Sequence, residues 1–204
     1  MWTLRTVLRQ LNNQAATFRT LSAEVQRTKV TVVVNDRSTE SGMFYVLRDG
    51  KMRLNLTKPD PRTILRVGDT LYDYNPLISQ VAEYNLAKHR ELVDQFLLLG
   101  FGTSAKQLEK AYLISLGGEQ TLDDRKSLVL DLTPKSEQVR NQIARIELWI
   151  DESGWLPLEQ KFYEAGTQDY FTITYSNIVR NAALGSALFK PKWPKGTKKI
   201  KPQV

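Results

Sequence analysis

From Arg48 to Val81 the chain runs RDGKMRLNLTKPDPRTILRVGDTLYDYNPLISQV. Apolar and polar residues alternate through KMRLNLT and TILRVGDTLYDYN, and again in QVAEYNL just beyond. A period of two is the mark of strands with one packed face, and the Gly, Asp and Pro positions between the runs mark their turns. Asp69 follows Gly68 in such a turn, and Asp73 stands between Tyr72 and Tyr74. Four residues apart on a strand, two carboxylates lie about 13 Å apart at about 3.3 Å per residue. That is too wide to share one metal ion. A helix would bring them together, but Gly68, Thr70, two tyrosines and the closing Asn75-Pro76 argue against one. The acids therefore read as turn and strand chemistry.

The same period extends outward. VTVVVND (30–36) and SGMFYVL (41–47) read as strands upstream, giving strands across 30–86. Before them, residues 2–18 place Leu4, Val7, Leu8, Leu11, Ala15 and Phe18 at helical spacing, with Arg5, Arg9, Gln10 and Asn13 elsewhere on the wheel. This predicts an amphipathic helix with one apolar stripe. Residues 90–113 return to helix: ELVDQFLLLGFG is apolar almost all round, and TSAKQLEKAYL follows with Thr103 or Ser104 as N-cap. Past Gly117-Gly118 the strands SLVLDLTP, QIARIELWID, LPLEQKFYEAG and DYFTITYSNIV fill 114–180, with turns at DESG and EAGTQD. Leu128, Leu130 and Leu132 share a face, as do Ala144, Ile146, Leu148 and Ile150, while Arg145, Glu147, Trp149 and Asp151 turn away. Phe171, Ile173 and Tyr175 continue the pattern. Hairpins with one apolar face build a large twisted antiparallel sheet. The expectation is an α+β fold, a large curved antiparallel sheet with helices laid across its concave side.

Composition narrows the function. The chain has 204 residues, 41% hydrophobic and 25% charged, enough for a core. No run reaches the roughly 18 to 20 apolar residues of a membrane helix. With no cysteine, disulfides, thiolate nucleophiles and cysteine-ligated metals are excluded. Arg5, Arg9 and Asn12 interrupt any secretory signal core at the start of this chain, so an envelope location requires a signal already removed. The net charge is +7, and six lysines from Lys190 onward with no acid leave +1 for the rest. Residues 190–204 read as a solvated Lys/Pro-rich tail, with attraction to anionic lipid, an acidic partner or nucleic acid as alternatives.

The search for catalytic chemistry returns nothing that holds together. The single histidine, His89, lies in polar AKHRE. There is no Gly-x-Ser-x-Gly elbow and no phosphate loop, and Asp123-Asp124 and Asp151-Glu152 read as turns. Neither catalytic residues, a metal site nor a cofactor is expected.

The order of elements resembles the LolA family of outer-membrane lipoprotein carriers, in the superfamily that also holds LolB and RseB. The likeness rests on the Arg48–Val81 stretch, on LDLTPK (130–135) and on IELWIDESGWLPLEQKF, and it extends from the first helix to FKPKWPKG. It implies a single LolA-like domain over 1–189, an unclosed β-barrel with an α-helical lid over an apolar cavity. It also implies a non-enzymatic periplasmic carrier, a monomer taking acylated lipoproteins or another amphiphilic lipid from an inner-membrane exporter to an outer-membrane receptor. Neither nucleic acid nor stable membrane insertion is expected. A lipid-anchored LolB-type receptor or an RseB-type stress sensor is the alternative on the same fold. The implied lipid-binding lining is Phe44, Val46, Met52, Leu54, Leu56, Ile146, Leu148 and Phe171. The implied lid is Leu4, Leu8 and Leu11 with Leu92, Val93, Phe96 and Leu97. Arg48 matches the family's lid-controlling basic residue, although Asp49 stands where the family has Pro and Leu54 where it has an aromatic, so Arg53 is the alternative holder.

Overall fold

A computed structural model describes residues 1–203, with the side chains of Glu91, Leu92 and Leu97 outside it. Along the chain run α1 (Leu4–Thr17), β1 (Thr20–Thr31), β2 (Asp36–Leu47), β3 (Met52–Lys58), β4 (Arg62–Val67), β5 (Thr70–Asn75), β6 (Gln80–Asn85) and α2 (Arg90–Leu97). Then follow α3 (Ala105–Ala111), β7 (Tyr112–Leu122), β8 (Arg125–Pro134), α4 (Glu137–Arg140), β9 (Ile143–Asp151), β10 (Pro157–Glu164), β11 (Tyr170–Arg180) and β12 (Lys198–Ile200). The strands pair in the order β12-β6-β5-β4-β3-β2-β1-β11-β10-β9-β8-β7, with β12 and β7 as its two ends, so the sheet is not closed. The fold is α+β and mostly sheet.

Several expectations shift. The first strand starts at Thr20, ten residues earlier than read, because Leu21, Ala23 and Val25 already alternate inward behind a helix with no turn marker after it. Gly117-Gly118 does not break the chain. β7 runs through it on a bulge between Leu116 and Gly118. The helical segment 90–113 is two helices separated by residues 98–104. The sheet is not wholly antiparallel either: the lysine tail, expected as a solvated extension, adds β12 in parallel beside β6, Lys198 opposite Gln80 and Ile200 opposite Ala82.

The chain divides into two compact units. The first comprises Met1–Phe18, Gln26–Thr39 and Leu98–Ser176. In it, α1 begins with a reciprocal capping box between Thr3 and Thr6 and buries Val7, Leu8, Leu11 and Ala15. Of the two candidate caps for α3, Ser104 is the one used, in a second capping box with Gln107. The helices meet where the Ala105 N–H donates to Asn12 Oδ1 at 2.7 Å. Register lines up Leu132, Ile146, Phe162 and Phe171 across β8–β11, and Leu130, Leu148, Gln160 and Ile173 in the next row. Opposed residues share a face, so both rows belong to one side. Trp149 lies on the other side as expected, yet it is buried there, its Nε1 donating to Gln120 Oε1 at 3.0 Å.

The second unit comprises Arg19–Val25, Glu40–Leu97 and Asn177 to the C-terminus. Here β2–β6 form hairpins, with β2 and β3 in close approach at Gly42. A Cβ at that position would sit 1.9 Å from the Asn55 carbonyl oxygen, so only glycine lets β3 approach. One face carries Tyr45, Arg53, Leu65, Tyr72 and Val81. The C-terminal segment covers it: Phe189 is buried, Trp193 packs 5.0 Å from the Tyr74 ring, and Arg53 NH1 donates to the Leu188 carbonyl at 2.9 Å. That arrangement leaves the opposite face of the same strands for another purpose.

Candidate functional site: two apolar sheet faces

Alternation sets which side chains reach the face of the second unit opposite the C-terminal segment. Phe44, Leu54, Ile64, Asp73 and Ala82 form one row across β2–β6, and Val46, Met52, Arg66, Leu71 and Tyr84 the next. All five lining residues expected from this unit, Phe44, Val46, Met52, Leu54 and Leu56, fall on this one face. Phe44, Val46, Met52 and Leu56 are buried, whereas Leu54, Ile64 and Leu71 are only half-buried. At the β6 end the face becomes polar. Arg62 grips Asp73 in a bidentate pair through Nε and NH2, its Nε 2.6 Å from Oδ1, and this hydrogen-bonded partner raises the guanidinium pKa. The pair lines a recess of about 340 Å³ that Glu40, Asp60, Gln80 and Ile200 also border. Asp73 thus stands beside apolar rows, paired to arginine, rather than facing water.

Within those rows one residue breaks the pattern. Arg66 is buried on the apolar face, its Nε donates to the Gly68 carbonyl at 3.2 Å, and its NH1 pairs with Asp94 of α2. Asp94 remains 40% exposed. This ion pair fastens α2, on which the expected lid residues Val93 and Phe96 are half-buried. Leu92 and Leu97 lie outside the described residues. Arg53 is on the opposite face, its hydrogen bonds going to Asn55 and Leu188 and its guanidinium pKa lowered by burial. Arg48 is an exposed residue just past β2. Sequence reasoning missed Arg66, although a signal was present: an arginine in RTILRV at the parity of Ile64, where an apolar residue belongs.

In the first unit, one face of β8–β11 is well covered. Ile146 and Leu148 are fully buried, and the segment Leu99–Gly102 crosses the second row. Gln160, itself buried, donates to the Leu99 carbonyl at 2.7 Å and accepts from the Tyr175 hydroxyl at 3.0 Å. Burial pushes the Tyr175 phenol well above its ordinary pKa, which keeps it a neutral donor. Gly100 allows this crossing, since its φ is +83° and a Cβ would meet Pro157 at 2.6 Å. Phe171 is half-buried, stacked on Phe162 with centroids 4.7 Å apart and capped by the Arg27 guanidinium at 4.8 Å. Leu4 and Leu8 of α1 border an open groove of about 490 Å³ with Ala105 and Glu109 of α3, and Leu11 is buried beside them.

These faces offer apolar surface, one buried cation and no assembled set of titratable groups; among the described residues no three His, Asp or Glu side chains could hold a metal ion. The family model described as outer membrane lipoprotein carrier protein LolA matches residues 16–192. The chain belongs to the LolA family. Members of this family are non-enzymatic lipoprotein binders, and the chain is not an enzyme. It is 26% identical over 187 residues to the outer-membrane lipoprotein carrier protein of Dechloromonas aromatica, covering 92% of this chain and 84% of that one. It is 28% identical over 131 residues to the uncharacterized protein MJ0687 of Methanocaldococcus jannaschii, covering 64% of this chain but spanning only 35% of that relative's length. An uncharacterized conserved protein of Thermus thermophilus shares the fold at a TM-score of 0.62 and 14% identity, with 97% of this chain and 98% of that one covered. No described helix of this LolA-family chain is long and apolar enough to cross a membrane.

Proposed function

We propose that this LolA-family protein is a periplasmic carrier that holds the acyl chains of lipoproteins and moves them, as a monomer, from an inner-membrane exporter to an outer-membrane receptor. The observation that carries the reading is a contrast in packing. Leu130, Leu132, Ile146 and Leu148 are sealed, as residues of a filled core are. Leu54, Ile64 and Leu71 on the second unit's face, and Val93 and Phe96 on α2, keep part of their surface open. Half-covered apolar rows under a helix fastened by an ion pair suit a ligand that must be both hidden and released. Each acyl methylene taken from water is worth about 0.8 kcal/mol, so even a partial seal along one chain is a strong attraction that needs no covalent step. In this reading Phe44, Val46, Met52, Leu54 and Leu56 bind the chains, whereas the fully buried Ile146 and Leu148 belong to the packed core of the first unit. α2 is the movable cover, and Arg66, rather than Arg48 or Arg53, controls it.

Uptake from membranes tests the proposal. Incubated with inner-membrane vesicles bearing acylated lipoproteins and the exporter, the protein is expected to leave with lipoprotein in a soluble one-to-one complex, identified by intact mass. Lipoproteins that stay wholly in the vesicles while a free amphiphile still binds would replace the carrier with the receptor or sensor reading.

A further inference from the structure

The hairpin between β1 and β2 carries a feature that acyl-chain carriage does not use. Its turn is Val32-Val33-Val34-Asn35, closed by the Asn35 N–H donating to the Val32 carbonyl at 3.1 Å, with Asn35 at φ +49°. Val32 is 37% exposed, Val33 89% and Val34 69%. Turns favour Gly, Pro, Asn, Asp and Ser for definite conformational reasons, and β-branched valines have none of them. Three in succession, in water, contribute nothing to the turn and nothing to a core. Where a local rule is broken at no gain to the fold, function is the usual cause.

The tip is held firmly in place. The Val32 N–H donates to Asp169 Oδ1 at 2.9 Å, Lys29 pairs with Glu164 at 3.4 Å, and the Thr28 and Thr39 hydroxyls lie 3.1 Å apart. The first two bonds tie the hairpin to the β10–β11 turn, one strand step from Tyr163 and Tyr170, and the third joins its own two strands. The two tyrosines are half-buried, with Lys161 Nζ 4.2 Å from the Tyr170 ring and the Arg145 guanidinium 4.3 Å from the Tyr163 ring. Tyrosine bodies with lysine and arginine heads behind an apolar apex are the side chains that settle at a bilayer interface.

We infer that the Val32–Val34 tip is a membrane-contact element that dips into the headgroup region of a lipid bilayer. A protein partner fits less well. Three valines offer on the order of 300 Å² of apolar area, well under the roughly 800 Å² per side that a specific protein interface buries. A convex tip of that size has no need of a complementary groove in lipid. Charge is near balance here: Arg27, Lys29, Arg37, Arg145 and Lys161 stand against Asp36, Glu147, Glu164 and Asp169. Attraction is therefore apolar, reaches uncharged lipid and persists in salt, unlike any attraction by the lysine-rich C-terminus.

The absence of cysteine makes a direct test simple. Val33→Cys labelled with an environment-sensitive dye is compared with Asp124→Cys in the β7–β8 turn, using vesicles of phosphatidylcholine alone at 0.5 M salt. The dye at position 33 is expected to shift to the blue and gain protection from an aqueous quencher, and the dye at 124 to do neither. Val33→Asp/Val34→Asp, whose thermal midpoint is expected to match the parent because both sites are exposed, loses at least fivefold of its co-sedimentation with the vesicles. A position-33 dye that stays in water, or equal co-sedimentation of parent and double variant, overturns the inference, whatever the outcome of lipoprotein uptake.

Discussion

Asp94→Ala is expected to destabilise the protein by about 3 kcal/mol, whereas Arg66→Met costs about 1 kcal/mol or less. The asymmetry follows from where the two charges sit. Arg66 is buried among Val46, Met52 and Leu71, while Asp94 on α2 is partly in water. Removing the carboxylate leaves a guanidinium in an apolar row with, among the described residues, the Gly68 carbonyl as its hydrogen-bond partner. Removing the arginine frees an acid that water can solvate, and methionine fills the row in its place. The molecule has a second way to relieve Asp94→Ala: α2 can lift and let water reach Arg66. The denaturation midpoint should therefore fall, and amide exchange across Arg90–Leu97 should accelerate beyond what global unfolding explains. Equal losses for the two variants would mean that the pair does not fasten the helix.

Leu54→Arg is expected to weaken binding of a fluorescent acyl probe about a hundredfold while leaving the fold in place. Leu54 sits between Phe44 and Ile64 in the row proposed to hold acyl chains, and it is only half-buried. A guanidinium there reaches water without unfolding the hairpin, yet it denies the row to a chain. Losing contact with three or four methylenes at about 0.8 kcal/mol each corresponds to that factor. Thr57→Arg is the matched control. It lies on the same strand at the opposite parity, is exposed, and should leave affinity unchanged.

Much of this arrangement was legible before any coordinates. The period of two through Arg48–Val81 placed the β3 to β6 hairpins, and the residues that the family resemblance implied as lining, Phe44, Val46, Met52, Leu54 and Leu56, fall on one face in the register. The helical stripe of residues 2–18 and a cap at Thr103 or Ser104 were equally local signals. What escaped depends on partners distant in sequence. A three-residue strand with Ile200 as its one apolar residue does not announce a parallel neighbour at Gln80–Ala82. Gln160 reads as an ordinary polar residue until Leu99 and Tyr175 reach it from elsewhere in the chain. Arg66 was visible as a misplaced charge, but its meaning needed Asp94, which lies in a helix whose own sequence says nothing about the sheet beneath it.

Acyl chains are proposed to lie on the Phe44–Leu54–Ile64 face. Photocrosslinking tests this placement most directly, with p-benzoylphenylalanine placed at Leu54 or at Arg53 and a diacylated lipopeptide as cargo. The two positions are neighbours on one strand and point to opposite faces. A crosslink to the acyl chains is expected from position 54 and none from position 53. Equal crosslinking from both, or crosslinking from 53 alone, would contradict that placement.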